Sequence, residues 1–173
     1  MTLRLVEPAV DALRDRLEAA LPAEIEAINA EAAAVADGYT IEGPQLVLDY
    51  VPNLDLLNQF PTVAIANEGT GRFEDDNAWS ATGLYELGVV SFIQDADQQA
   101  LVRRLRRYTL AVTRVALDDR NLGSGTGIPW GVVLKRINYG PALADTTGLR
   151  EGEPPNAYLS FSVVTIEVKL DED

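Results

Sequence analysis

Residues 97–117 read DQQALVRRLRRYTLAVTRVAL, and this stretch decides the fold more than any other part of the chain. At about 100° per residue, its apolar side chains fall on one side of a helix. That side consists of Leu101, Leu105, Tyr108, Val112 and Ala116. The opposite side collects the arginines Arg103, Arg104, Arg106 and Arg107. An acidic residue followed three positions later by glutamine, as in Asp95 to Gln98, is typical of a helix start. The sequence therefore predicts a long amphipathic helix here.

The residues on both sides of this helix have the alternation of β-strands. A long strand is predicted from about Trp79 to Gln94, with a bulge at Gly83 or Gly88 because of its length. One of its faces would carry Tyr85, Leu87, Val89 and Ile93, and the other Leu84, Val90 and Phe92. After the helix, we expect strands over Gly131–Tyr139 and Ala157–Leu170, joined by a loop from 140 to 156.

Two shorter strands and a loop are predicted before the long strand. Gln45 to Val51 alternates apolar and polar residues, and Thr62 to Ala66 is a short apolar run. The segment 68–78, EGTGRFEDDNA, is rich in glycine, aspartate and asparagine, which indicates a mobile loop. A glycine-rich loop is also predicted over 121–127.

A second apolar stripe at helical spacing lies near the N-terminus. Its members are Val10, Leu13, Leu17, Leu21, Ile25, Ile28, Ala32 and Val35. Pro22 interrupts this stripe, so we predict two helices or a strongly kinked pair, ending near Asp37 and Gly38. The element order is then α-α-β-β-β-α-β-β. The fold class is α+β, a mainly antiparallel β-sheet packed by the long C-half helix and the N-terminal helices.

Composition excludes several classes of function. The 173 residues fit one domain, residues 1–173, and contain no cysteine or histidine. This removes disulfides, thiol nucleophiles, zinc sites of the usual kind and Ser-His or Cys-His catalysis. The N-terminus lacks the apolar run of a signal peptide, and no stretch suggests a membrane span. A net charge of −13 disfavours tight binding of nucleic acids or anionic membranes.

The remaining motifs that could carry chemistry are weak. Gly-Ser-Gly-Thr-Gly at 123–127 lacks the Lys-Ser/Thr pair of a phosphate loop and precedes a strand, so a connector is the better interpretation. Glu74, Asp75 and Asp76 lack the alternating spacing of a calcium loop, which favours solvated charges. We expect no enzyme, no metal and no cofactor. A carboxylate-based hydrolase stays open, because acid pairs form in three dimensions.

The arginine-rich side of the central helix has three interpretations. It is a solvated helix face, a docking surface for an acidic neighbour such as another copy of the chain, or a DNA contact that the negative field disfavours. As candidate interface residues we take these arginines and part of the 68–78 loop. The full set is Arg103, Arg104, Arg106, Arg107, Arg72, Phe73, Glu74, Asp75 and Asp76.

The order of the elements resembles a known family. The compared features are a helix ending in Leu21-Pro22, the run Phe60 to Ile65, the strand Tyr85 to Gln94, the helix with Tyr108 and AVTRVALDD at 111–119, and the strands Val132–Tyr139 and Tyr158–Val168. This order resembles the tail terminator (tail completion) proteins of long-tailed bacteriophages and related head–tail joining proteins. Relative to that family, residues 22–38 look like a helical insertion.

The resemblance implies a structural virion protein without catalytic residues. Six copies would form a ring that caps the finished tail tube in the virion and joins it to the head connector, with DNA only passing through the lumen. The implied partners are further copies of the chain, the tail tube protein and head–tail connector proteins. The alternative within this class is a head-side stopper or adaptor protein of the neck. A small ligand-binding domain is the alternative from another class.

Overall fold

The computed structural model describes residues 7–67, 72–77, 80–118, 130–146 and 153–171. Two α-helices, seven strands and one 3-10 turn make up this part of the chain. In chain order they are α1 (Glu7–Ala34), β1 (Leu46–Leu48), the 3-10 turn (Leu54–Leu56), β2 (Thr62–Asn67), β3 (Arg72–Asn77), β4 (Ser80–Asp95), α2 (Gln98–Asp118), β5 (Trp130–Tyr139), β6 (Leu143–Asp145) and β7 (Ala157–Asp171). The fold is α+β, as the sequence predicts.

The strands form one mixed, mainly antiparallel sheet. Its order is β1-β2-β4-β7-β5, while β3 also pairs with β4 and β6 with β7. Only the β1–β2 pair is parallel among the described strands. The long strands β4 and β7 run through the centre, and β1 and β5 lie at the two ends of the order.

The predicted bulge in the long strand is wrong. The β4–β7 register runs without a shift through Gly83 and Gly88. A shift occurs instead in β5 between Leu134 and Arg136, where Lys135 is the extra residue. An interior strand is held by ladders on both sides, whereas an end strand is constrained on one side only and bulges more easily.

Two segments predicted as loops contain strands. Residues 72–77 of the predicted 68–78 loop form β3, which pairs with the first half of β4 from Arg72↔Leu84 onward. The predicted 140–156 loop contains β6, which pairs with the start of β7. β3 is mostly polar and β6 has only three residues, so their own sequence carries no strand signal, and backbone pairing to a long neighbour stabilises them. Residues 68–71 and 78, and the glycine-rich 121–127, lie outside the described residues.

The prediction of two N-terminal helices is also wrong, because α1 continues through Pro22. Proline has no N–H, so the carbonyl of Glu18 loses its helical hydrogen bond. Pro22 and Glu18 are both exposed, so this carbonyl lies where water can reach it. Leu21 and Ile25 on either side are buried. Packing of the unbroken stripe therefore offsets the interior proline, which costs about 3 kcal/mol in a helix.

The segment 22–38, predicted as an insertion, belongs to the core rather than to an appendage. It contributes Ile25, Ile28 and Ala32, all buried, to the apolar stripe of α1. Val35, the last predicted member of the stripe, is exposed, because the helix has ended one residue earlier.

The C-terminus of α1 is closed by a Schellman motif whose left-handed residue, Ala36, lies two residues before the predicted Gly38. The Asp37 N–H donates to the Ala32 carbonyl at 3.0 Å, and the Ala36 N–H donates to the Ala33 carbonyl at 3.0 Å. Ala36 has φ of 56°, the left-handed conformation that glycine usually supplies. This cap fixes Asp37 at the end of α1, where α2 reaches it.

The main core lies between the sheet and the two helices. Leu87, Val89 and Ile93 of β4 are buried there, which confirms that these side chains share one face of the strand. On the other face of the sheet, Val90 and Phe92 form a smaller cluster with Ala64. The Phe92 and Phe161 rings lie 6.1 Å apart between centroids in this cluster. Both helices thus cover the same face of the sheet.

Candidate interaction surfaces

The arginines of α2 are held by acidic groups elsewhere in the same chain. Arg103 and Arg107 both form ion pairs with Asp37, the residue presented by the α1 cap. Arg107 also donates to the Tyr39 carbonyl, and the Arg103 guanidinium lies 4.8 Å from the Tyr39 ring centroid. These contacts attach the segment after α1 to the middle of α2.

Further ion pairs continue along the same helix. Arg104 binds Asp95 at the end of β4, and Arg114 donates to Glu24 at 2.9 Å and to Glu31 at 3.0 Å on α1. Hydrogen bonds donated to Glu31 and then to Glu24 raise the pKa of Arg114, and the hydrogen bond from Arg114 lowers the pKa of Glu31. Because Arg114 and Glu31 are largely solvated, their ion pair specifies how α1 and α2 align more than it stabilises the fold.

The structure places the predicted interface residues in different surroundings. Arg103, Arg104 and Arg107 have acidic partners within the chain, and Arg104 and Arg107 flank the apolar stripe rather than lying opposite to it. Arg106 is exposed and stands apart from these pairs. Strand β3, of which the backbone is described, carries Arg72, Phe73, Glu74, Asp75 and Asp76. Contact of either group with a neighbouring molecule stays a prediction.

Asn29 makes a second attachment between α1 and the segment that follows it. Its side-chain amide donates to the Ile41 carbonyl at 2.8 Å, and its side-chain oxygen accepts from the Ile41 N–H at 2.9 Å. Ile41 is buried, so its backbone groups depend on this amide rather than on water. Packing, ion pairs and hydrogen bonds thus hold α1 and the segment after it against α2.

A small cavity lies beneath this attachment. Its volume is about 160 Å³, and both Arg104 and Tyr108 of α2 line it. The Arg104 Nε and the Tyr108 hydroxyl are buried and have no hydrogen-bond partner among the described residues. Burial raises the pKa of the Tyr108 hydroxyl, which therefore stays protonated. The cavity thus offers two hydrogen-bond donors to a small acceptor.

Strand β5 presents an apolar surface at one end of the sheet. Although Val132 is buried, four large side chains of this strand are exposed. Leu134, Ile137 and Tyr139 lie on the helix-facing side of the sheet and form what we call the β5 surface, whereas Val133 lies on the opposite face. Val133 is 57% exposed, and the strand pairs with β7 on one side and with no described strand on the other. An end strand with apolar side chains is a common site of protein association.

A second apolar surface lies at the opposite end of the sheet, in the connection from β1 to β2. We call it the crossover surface, and it consists of Tyr50, Val51, Leu54 and Leu56. Leu56 is 76% exposed. The 3-10 turn that carries it is capped by Asn53, whose side chain accepts from the Asp55 N–H at 3.2 Å. Leu57 and Phe60 of the same connection pack on the second face of the sheet.

The charged residues of the two segments have partners within the chain. Lys135 of β5 forms an ion pair with Glu167 of β7 at 2.7 Å, and the Arg136 Nε donates to the Thr165 hydroxyl. Asp49, which follows β1, lies 3.6 Å from Arg14 of α1. The two surfaces are therefore distinguished by their exposed apolar side chains.

Neither surface was predicted from the sequence. The alternation of Val132 to Tyr139 indicates a strand but not its place at the end of the sheet, and exposure follows from that place. The only available signals are the consecutive apolar residues Val132-Val133-Leu134 and the pair Leu54 and Leu56 next to a proline-containing segment.

Two further features of the described residues concern metal binding and membrane-spanning helices. Within the described ranges, no group of three or more acidic residues is arranged to hold a metal ion. Neither α1 nor α2 is apolar enough over a sufficient length to span a membrane.

Comparisons with known proteins find similarity among solved structures. No protein-family model matches the sequence, and no curated protein matches it. Among solved structures, the chain is similar to a chain of the structure titled "Virion of native gene transfer agent (GTA) particle". The TM-score is 0.42 and the sequence identity 14%, over 89% of this chain and 93% of that chain. At this level, the similarity assigns no role to any residue.

Proposed function

We propose that this chain is a structural protein of a phage-like virion, and specifically a tail terminator. In this proposal, six copies form a ring that caps the finished tail tube and joins it to the head connector. The chain has no catalytic role, its partners are other copies of itself together with tube and connector proteins, and DNA passes through the ring without being held.

The observation that carries the proposal is the pair of apolar surfaces at opposite ends of one sheet. Exposed apolar groups such as Val133 and Leu56 are costly on an isolated molecule and favourable once covered by another one. A molecule with a different surface at each end of a sheet is suited to repeated side-by-side association. The particular assembly, a ring of six copies, is inferred from the resemblance in element order to tail terminators.

The arrangement of α2 supports the part of the proposal that concerns DNA. Arg103 and Arg107 are engaged by Asp37, and Arg104 by Asp95. Arginines already paired with carboxylates present less positive potential to a phosphate backbone, and the net charge of −13 opposes such binding further. A ring of such subunits lets DNA slide.

A reconstruction of particles that contain the chain tests this proposal. We expect six copies in a closed ring at the head-proximal end of the tail, between the tube and the connector. A ring on the head side of the connector indicates a stopper or adaptor instead. Absence of the chain from the particle, or another copy number at the end of the tail, contradicts the proposal.

A further inference from the structure

We propose that the cavity beside α2 binds a small uncharged carboxamide, whose carbonyl oxygen accepts hydrogen bonds from the Arg104 Nε and the Tyr108 hydroxyl. The inference goes beyond the proposed function and does not depend on it. The carboxamide belongs either to a free small molecule or to the side chain of a glutamine or asparagine in another protein.

The cavity has an apolar floor and a polar mouth. Buried residues from three parts of the chain form the floor, namely Ile41, Pro61 and Ile93. Exposed residues, among them Glu42 and Gln94, form the mouth. The volume of about 160 Å³ suits a molecule of about six non-hydrogen atoms, since a cavity of about 150 Å³ is large enough for benzene.

Two hydrogen-bond donors line this cavity from one face of α2. Arg104 and Tyr108 are four residues apart, so their side chains are neighbours on the helix surface. Tyr108 is fully buried, and neither its hydroxyl nor the buried Arg104 Nε has a hydrogen-bond partner among the described residues. Because a buried donor without an acceptor is unfavourable, both groups favour the binding of an acceptor.

Both donors are held in place by other contacts of the chain. The Arg104 Nη1 lies 2.5 Å from the Asp95 carboxylate, and the Asp95 side chain is only 9% exposed. Since a guanidinium group is planar, this ion pair also orients Nε. The side chain of Tyr108 packs in the main core. Donors that are already oriented lose little conformational entropy when a ligand binds.

The charges around the cavity favour an uncharged ligand. Asp95 balances the charge of Arg104, and Glu42 adds a negative charge at the mouth, so an anion is repelled. A cation is disfavoured because both buried groups present hydrogens to the ligand. A carboxamide fits this pattern, since its carbonyl oxygen accepts from the two donors and its N–H groups donate to acceptors such as the Glu42 carboxylate.

A titration of the ¹⁵N-labelled protein with propanamide, which has the shape of a glutamine side chain, tests the site. Three molecules of the same size are the matched controls: propanoate is an anion, propionamidine is a cation, and butanone has the carbonyl group but no N–H. We expect propanamide to shift the Arg104 Nε–H signal saturably. We expect the two charged compounds to bind at least about tenfold more weakly and butanone to lie between them and propanamide.

Two variants of α2 identify the donors. Tyr108→Phe removes one donor and keeps the ring, and Arg104→Lys keeps the charge beside Asp95 but removes the Nε–H. We expect each to weaken propanamide binding by about fivefold or more, and Tyr108→Phe to leave the thermal unfolding temperature unchanged or raised, because the hydroxyl has no partner among the described residues. Tyr139→Phe, at a 52% exposed position on β5, is the matched control and should bind propanamide normally.

A capped peptide with a central glutamine distinguishes the two sources of the carboxamide. Binding tighter than that of propanamide indicates a side chain of another protein, because the flanking backbone adds contacts at the mouth. Weaker binding indicates a free small molecule, because the flanking backbone does not fit.

Three outcomes overturn the inference. Absence of a saturable shift with propanamide means that the cavity holds water only. Propanoate binding as tightly as propanamide contradicts the uncharged class of ligand. Unchanged affinity in both Tyr108→Phe and Arg104→Lys excludes these donors. Whether the chain is found in a virion affects none of these results, so this inference and the proposed function fail separately.

Discussion

The two flanks of α2 differ in how completely the chain covers them. On the flank toward α1, Asp37 binds two arginines, Arg114 reaches Glu24 and Glu31, and Asn29 holds the backbone of Ile41. On the flank toward β5, Leu134, Ile137 and Tyr139 remain exposed although they follow the same alternation as buried residues of the sheet.

This difference indicates that charged side chains and exposed apolar side chains have different roles in the molecule. Within the chain, ion pairs and hydrogen bonds align two helices that are already packed. At the ends of the sheet, apolar side chains are left uncovered. The first flank is completed by folding, and the second is available for assembly.

Two isoleucines of the same sheet provide the strongest test of this comparison. Ile166 on β7 is fully buried, and Ile137 on β5 is 38% exposed. We expect Ile166→Ala to reduce the free energy of unfolding by about 2–5 kcal/mol, since it leaves a cavity in the core. We expect Ile137→Ala to cost no more than about 1 kcal/mol, as is usual for partly exposed sites.

Urea denaturation of both variants at low protein concentration measures this contrast. Equal losses in the two variants would mean that β5 is covered in the isolated chain, and the comparison between the flanks would fail. A loss from Ile137→Ala that grows with protein concentration would instead report association.

The closed flank is tested by removing the amide of Asn29. We expect Asn29→Ala to reduce the free energy of unfolding by about 1–3 kcal/mol, because the backbone groups of buried Ile41 lose both partners. Asn53→Ala is the matched control, since the Asn53 amide contacts only the exposed N–H of Asp55. We expect this change to reduce the free energy of unfolding by at most about 1 kcal/mol. Thermal unfolding in parallel compares them. A control that costs as much as Asn29→Ala would show that the Ile41 attachment contributes little.

The smallest effect is expected at the cap that presents Asp37. Ala36 adopts the left-handed conformation, so Ala36→Gly should stabilise the protein by about 0.5–1 kcal/mol. The neighbouring change Ala33→Gly, inside the last turn of α1, should destabilise it by a similar amount. Chemical denaturation measures the free energy of unfolding of both variants. Changes of opposite sign confirm the cap, and a loss of stability in Ala36→Gly contradicts it.

The sequence predicted those elements whose signal is contained in their own residues. The stripe from Leu101 to Ala116 fixes α2 within a residue of its observed bounds, and the alternation around Val89 identifies both faces of β4. Strands β3 and β6 were missed because pairing with a longer neighbour forms them. The continuity of α1 was missed because burial on both sides of Pro22 outweighs the local effect of proline.

The interaction surfaces were less predictable than the fold. The arginines of α2 were recognised as a group, but their partner Asp37 comes from a cap whose position depends on an alanine with positive φ. The β5 surface depends on strand order, which cannot be predicted from the sequence of any single strand. Residue patterns therefore predict elements well, and they predict surfaces only where one element makes the whole surface.

The bulge at Lys135 also bears on how the chain avoids uncontrolled aggregation before it assembles. A flat apolar strand with free backbone groups would accept any extended segment and could seed fibres. The extra residue breaks the regular spacing of the strand, and its side chain forms an ion pair with Glu167 of β7. The bulge acts as a gatekeeper, because a partner strand must match the irregular spacing. The same residue that interrupts the ladder would thus protect each newly made copy from random association in the crowded cell.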